Sequence, residues 1–439
     1  YMAGFYKKLL CLLAFVPVLS IIIPAAGLCS DPPAPAQMVL SEAYGLMDEE
    51  KYEKALEKLE NFQARSDKTD PDPDAPDPRG YHHPEIYFML GNIHYAMENP
   101  EKAKQAYQQA VKRDPGHTGA LVNLARVFHE QEKYGKAAEN FEKAYESEEK
   151  NKAEYLYYAA ISLLAEGSAD RSLDLFEKLL DTHPDEIRLQ WRENLVYAFL
   201  ETGRNSEALE HIKLLAEKYT GEKQIQWQEI LLHQYLELDM QDAARKYALE
   251  LTTQAPTLPK WWKALAHAAL SENDHDQALT AMTIYSYLTQ LSEKEKKLLG
   301  DLALQAGVPV KAVSYYEALL EEEQDKSVLK SLAAAFRQLG KPEAALEALR
   351  RFDEHEKDSE LMMLKADLLY SMDKFEGAAD AYSAAGRNKG RQEGRAWLMA
   401  GYSAWEAEDT DSALRYFKKA AEFENHKKDA ESAIKRLEK

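Results

Sequence analysis

Along most of the chain, apolar residues recur at three- and four-residue spacing with charged residues between them. That pattern predicts helices with one buried stripe each. In residues 99–115, NPEKAKQAYQQAVKRDP, the stripe is Ala103, Tyr107 and Ala110, and Pro115 closes the segment. The arrangement returns at Ala137, Phe141 and Ala144, and again at Ser172, Phe176 and Leu179. Its first small residue continues at Ala208, Ala244, Ala278, Ala312, Ala345, Ala378 and Ala413, with an initial copy at Ala55. From Ala103 onward the intervals run from 33 to 36 residues. A period that constant predicts a repeat array. No stretch alternates apolar and polar residues long enough to suggest a sheet, so the expected class is all-α.

Each copy has a second signature twelve residues earlier, as in YFMLGNIHY around Gly91, WWKALAHAAL around Ala266 and AWLMAGYSAW around Gly401. Small residues at the two recurring positions let paired helices approach closely, and bulky ones fill the space between pairs. Between the two helices lies a turn signal: Gly307-Val308-Pro309, Asn99-Pro100 and Lys341-Pro342 hold equivalent places. Glycine ends one helix and proline opens the next. With period, residue types and helix–turn–helix rhythm together, the sequence resembles the tetratricopeptide repeat family. That resemblance implies a solenoid, a right-handed superhelix of about eleven antiparallel helix pairs over residues 37–425, with a concave groove. Residues 426–439, charged with a thin apolar stripe, read as a capping helix.

Two segments depart from the repeat. Residues 1–30 carry Lys7 and Lys8, an apolar run over 9–23 and a small-residue end, which reads as a secretory signal cleaved after Ser30. Alternatives are an uncleaved anchor and a lipidated Cys29. Residues 31–36 would be a linker. The interval from Ala55 to Ala103 is 48 residues, and the excess is the Asp-Pro-rich stretch 64–85, expected to be a mobile acidic loop. Its alternate aspartates resemble a cation loop, but the prolines and the missing closing glutamate argue against calcium. His82 and His83 lack partners for a metal site.

The formal charge is −20, and removing the two lysines of the first thirty residues leaves −22. Such a surface does not suit general nucleic-acid binding. Both cysteines, Cys11 and Cys29, lie in the first thirty residues, leaving no thiolate or disulfide in a cleaved chain. No nucleophile elbow, phosphate loop or zinc helix is present, and the carboxylates sit at helical spacing from lysines as surface pairs. His233 and His267 occupy similar places in adjacent copies, a conceivable ligand pair, but read as exposed groove histidines. No enzyme, cofactor or metal is expected; a regulator or weak hydrolase is the contrasting class.

Partner binding is the activity the resemblance implies, through the first helix of each pair. The residues expected to face the groove include Phe88, Tyr95, Tyr157 and Tyr197, then a basic stripe of Lys260, Lys263, Lys294, Lys297, Lys330 and Arg337. The stripe would attract an acidic segment. The familiar carboxylate clamp of the family is incomplete: Asn92 and Asn123 match, but Phe88, Glu154 and Tyr158 stand at the remaining places. From Pro259 onward, PKWWKALA, ALQAGVPVKA and the ending RAWLMAGYSAWEAEDTDSALRYFKKAAEFENHKKDAESAIKRLE are similar to periplasmic tetratricopeptide proteins that accompany ExbB, ExbD and TonB-type genes. This implies an accessory of proton-motive-force-driven outer-membrane transport. A scaffold for cell-wall or outer-membrane assembly is the alternative.

Overall fold

The computed structural model describes residues 31–66, 77–147, 151–323, 325–351 and 357–438; the expected signal segment lies outside them. Among the described residues the secondary structure is helical, without strands. The chain divides into two compact units, Tyr1–Leu238 and Asp239–Lys439, where the sequence predicts one uninterrupted array. The division falls inside the sixth copy.

In unit one the pairs are α1 (Ala34–Asp48) with α2 (Tyr52–Gln63), α3 (Pro84–Ala96) with α4 (Pro100–Arg113), α5 (Thr118–Glu130) with α6 (Tyr134–Ser147), α7 (Ala153–Glu166) with α8 (Ala169–Thr182), and α9 (Leu189–Glu201) with α10 (Asn205–Lys218). The sixth copy's first helix, α11 (Gly221–Glu237), ends the unit. Unit two opens with α12 (Gln241–Gln254). Its pairs are α13 (Pro259–Ser271) with α14 (His275–Leu288), α15 (Glu293–Gln305) with α16 (Pro309–Glu322), α17 (Lys326–Gln338) with α18 (Pro342–Arg350), α19 (Ser359–Ser371) with α20 (Phe375–Arg387), and α21 (Glu393–Glu406) with α22 (Thr410–Ala420). The cap, α23 (Glu424–Leu437), packs on α22 and α21. The array begins earlier than expected, because α1 starts at Ala34 with Pro35 in its first turn, where the missing N–H costs nothing.

All eleven recurring small residues, from Ala55 to Ala413, are fully buried. Ser172, the one polar member, gives its hydroxyl to the Ala160 carbonyl at 2.7 Å, so its own hydroxyl is satisfied. The facing glycines are needed for close approach. A Cβ on Gly300 would sit 2.7 Å from the Tyr316 ring, one on Gly401 2.5 Å from Phe417, and one on Gly91 would collide with Tyr107.

The intra-copy turns share one backbone device. Five residues before each buried small residue stands a residue with positive φ: Glu50, Glu98, Glu132, Gly167, Gly203, Asp239, Asn273, Gly307, Gly340, Asp373 and Glu408. In ten of the eleven the next residue's N–H returns to a carbonyl of the first helix's last turn, as in Val308 to Ala303 at 2.8 Å and Asn99 to His94 at 2.8 Å. This is the left-handed helix stop with its six-to-one bond. Gly307-Val308-Pro309 is therefore a turn.

Hydrophobic clusters join neighbouring copies rather than single pairs. One takes Ala36, Leu40 and Phe62 from the first copy with Ile86, Met89 and Ile93 from the second. No pair buries its own apolar face, which is why repeats need neighbours. The stretch 64–85 is only partly as expected. Residues 67–76, with most of its aspartates, lie outside the described residues. Beyond them the chain is packed rather than loose: Tyr81 is buried against the Phe62 ring, centroids 4.8 Å apart. The Asp77 carboxylate accepts the N–H groups of Tyr81 at 3.0 Å and His82 at 2.7 Å.

Candidate functional site on the first-helix face

Polar side chains on the first helices reach from one copy to the next and form a ladder. In unit one, the Tyr95 hydroxyl on α3 bonds to Glu130 on α5, and the Arg126 guanidinium lies 4.7 Å from the Tyr95 ring centroid. Asn123 donates to Asn92 at 2.8 Å, and the Tyr107 hydroxyl donates to the same oxygen at 2.9 Å. Asn194 on α9 donates to the Tyr157 hydroxyl on α7 at 2.8 Å, while the Tyr157 ring stacks on Trp191 at 4.6 Å. Arg188 pairs with Glu154 at 2.7 Å. Lys223 on α11 pairs with Glu193 at 2.5 Å, and the Tyr219 hydroxyl bonds to the same carboxylate.

Burial raises the hydroxyl pKa of Tyr95, Tyr157 and Tyr197 to about 12. Hydrogen bonds to Glu130 and Glu201 add to the effect at Tyr95 and Tyr197. These tyrosines are neutral hydrogen-bonding groups at any physiological pH. All three are half-buried. Phe88 is a correction: it is fully buried, packed against His117 with centroids 4.9 Å apart, and offers nothing to a partner. Its α3 position faces the next copy's first helix, which covers it; a Cβ on Gly119 would lie 3.0 Å from its ring.

In unit two the basic stripe is present, but much of it is engaged internally. Lys263 pairs with Glu295 of the next copy at 2.7 Å, Lys297 with Asp301 one turn along at 2.9 Å, and Lys330 with Glu360 of the next copy. Lys326 joins the Lys330 group through Asp358 at 2.7 Å and Glu360 at 3.0 Å. Lys260 is exposed with its ammonium 5.7 Å from the Trp261 ring centroid, and Lys294 and Arg337 are exposed. Glu295 accepts from several donors at once. It takes Lys263, the Tyr285 hydroxyl at 2.9 Å, and the Ser292 N–H at 2.9 Å and hydroxyl at 2.7 Å. Burial would raise its pKa, but these donors outweigh burial and hold it at about 2.

Sequence reading misses the acids of this ladder. Glu130, Glu295 and Glu360 lie about one repeat from their partners, so the signal is an opposite charge or hydrogen-bonding group near the repeat period rather than at helical spacing. Of the histidines, His82 places one ring nitrogen 2.8 Å from the Tyr87 hydroxyl and the other 3.0 Å from Ser66. His233 belongs to unit one and His267 to unit two. Among the described residues no group of three or more His, Cys, Asp or Glu could hold a metal ion, and no helix is long and apolar enough to cross a membrane.

A family model for the tetratricopeptide repeat matches residues 88–154, 130–187, 157–222, 297–359 and 363–430, together more than half of the chain. The chain belongs to the tetratricopeptide repeat family. The ladder therefore runs along the first helices of successive tetratricopeptide repeats. Among curated protein sequences none matches. Solved structures similar to this repeat protein include Naa15/Naa10 bound to HypK-THB, at 16% identity over 87% of this chain and 68% of that one, TM-score 0.40. A tetratricopeptide repeat protein from Parabacteroides merdae is similar at 13% identity over 69% of this chain and 99% of that one, TM-score 0.33. The Cut9-Hcn1 hetero-tetramer of the APC/C is similar at 13% identity over 92% and 98%, TM-score 0.28.

Proposed function

We propose that this repeat protein is an adaptor that binds a protein segment on the first-helix face of unit one. The observation that carries the reading is the row of half-buried tyrosines, Tyr95, Tyr157 and Tyr197, beside amides already fixed by Asn92–Asn123 and Asn194–Tyr157 bonds. Aromatic rings held in place lose little entropy on binding and are enriched at interface hot spots. The stripe in unit two is a weaker candidate for an acidic segment, because drawing Lys263, Lys297 or Lys330 to a partner means exchanging a carboxylate they already hold. Exposed pairs of that kind gain little on exchange.

The cellular setting we propose is the periplasm, with the adaptor serving a TonB–ExbB–ExbD type outer-membrane transport system. The signal-like residues 1–30 and the wording of the chain after Pro259 support this setting. No catalytic role is part of the proposal. Capture from native cells tests it, with Tyr95→Ser/Tyr197→Ser set against Lys260→Glu/Lys263→Glu/Lys294→Glu/Lys297→Glu. The expected result is ExbB-, ExbD- or TonB-like components with the parent chain, and their loss with the tyrosine variant. Equal capture by the tyrosine variant, with its helical circular dichroism intact, overturns the unit-one site. Recovery of cell-wall or outer-membrane assembly proteins instead overturns the transport setting.

A further inference from the structure

In unit one, charge is divided unevenly between the two rows of helices. The first helices, α1, α3, α5, α7, α9 and α11, carry eleven Asp and Glu side chains against three Lys and Arg. The second helices, α2, α4, α6, α8 and α10, carry fourteen against twelve. All three cations of the first row are engaged. Arg126 pairs with Glu130 at 3.3 Å, Lys223 with Glu193 at 2.5 Å, and Arg192 turns to the His211 ring on α10 at 2.6 Å. Just ahead of these helices, Arg188 pairs with Glu154 at 2.7 Å, and the Lys152 ammonium lies 5.4 Å from the Tyr155 ring centroid. The last turns of α9 and α11 are different. These helices lie side by side, joined in their first turns by Lys223 and Glu193. Residues 193–203 and 224–238 contain no Lys or Arg. Glu201 and Glu237 are exposed. Glu201 holds the Tyr197 hydroxyl, and Glu237 lies 3.9 Å from His233. Among the described residues neither forms an ion pair with Lys or Arg. Leu236, beside Glu237, is 39% exposed.

Resting on the adaptor reading of this face, we propose that the segment it binds is basic, and that lysine or arginine side chains of the segment meet Glu201 and Glu237 beside Tyr197. The chain itself supplies the pattern. At the second and third copies a tyrosine–glutamate pair, Tyr95 and Glu130, is completed by an arginine: Arg126 pairs with Glu130 and lies 4.7 Å from the Tyr95 ring centroid. In the fifth copy Tyr197 and Glu201 form the same kind of pair without the arginine. A cation brought by a partner fills that place, meeting a carboxylate and an aromatic face together. Carboxylates without counter-charges attract cations and repel anions. The charge of the whole chain does not account for this, since the second-helix row of the same unit is close to balance. A cation arriving at Glu201 or Glu237 also adds a charge pair without breaking one. An acidic segment on unit two would first draw Lys263 from Glu295 or Lys330 from Glu360. Leu236 offers apolar contact next to Glu237, so apolar residues beside the basic ones fit this surface.

An array of random dodecapeptides tests the proposal, probed with the full chain and with its Glu201→Gln/Glu237→Gln and Tyr95→Ser/Tyr197→Ser variants. Peptides captured by the parent chain should be enriched in Lys and Arg, and capture should weaken as salt rises. The glutamine variant should hold them roughly three- to tenfold more weakly, with unchanged helical circular dichroism, and the tyrosine variant should lose them. Neutral or acidic peptides that are lost with the tyrosine variant overturn the basic partner and leave the site on unit one standing. Basic peptides held equally by the glutamine variant overturn the roles of Glu201 and Glu237. Capture that the tyrosine variant leaves unchanged overturns the adaptor site and this proposal with it, as does an array that captures nothing.

Discussion

At Glu98 the backbone has φ of 57°, and Glu50, Glu132 and Glu408 do the same work in other copies with similar values. A side chain with a Cβ is disfavoured there relative to glycine. Replacing Glu98 or Glu132 by Gly should therefore stabilise the protein by about 0.5–1 kcal/mol, read as a higher midpoint in urea unfolding; a lower midpoint would show that the turn is not held in that conformation. Sequence shows the turn where glycine or proline marks it, at Gly307-Val308-Pro309, but glutamate is no turn signal. The left-handed residue at Glu50, Glu132 and Glu408 is visible only through the period, while at Glu98 the following Asn99-Pro100 marks the turn. The small residues are the converse case. Their recurrence announces close helix approach, and Gly91→Ala should cost about 1–3 kcal/mol by forcing the Tyr107 ring aside. A cost near zero in the same assay would mean that α3 and α4 separate easily.

Between neighbouring elements, the ladder on the first helices decides which charges are available. Glu295 bridges the seventh and eighth copies, and its pKa of about 2 lies below the ordinary carboxylate value of 4.5. A depressed folded-state pKa gives stability that is fully present above pH 4.5 and is lost as pH falls toward 2. Glu295→Gln should lower stability at pH 7 by about 1–2 kcal/mol and flatten the loss between pH 4.5 and pH 2. An unchanged acid profile would assign the transition to other carboxylates. Helix boundaries and pairings were legible because 3.6-residue spacing is local. Availability of the basic stripe was not, because Lys263 and Lys330 find Glu295 and Glu360 in the next copy. Phe88 was misplaced for the same reason: its α3 position looks like a groove position until the next first helix covers it.

For the whole molecule, family membership and the helical architecture follow from the repeat period, and the two compact units do not, since no change in period marks Leu238–Asp239. The recognition surface we propose is the row of tyrosines and amides on unit one's first helices. Photocrosslinking in living cells tests it directly, with a crosslinking residue placed at Tyr197 or, on the basic stripe of unit two, at Lys294 of the full chain. The expected result is an adduct with an envelope-transport protein from position 197 and none with it from position 294. An envelope-transport adduct from position 294 and none from position 197 would contradict recognition on unit one's first-helix face.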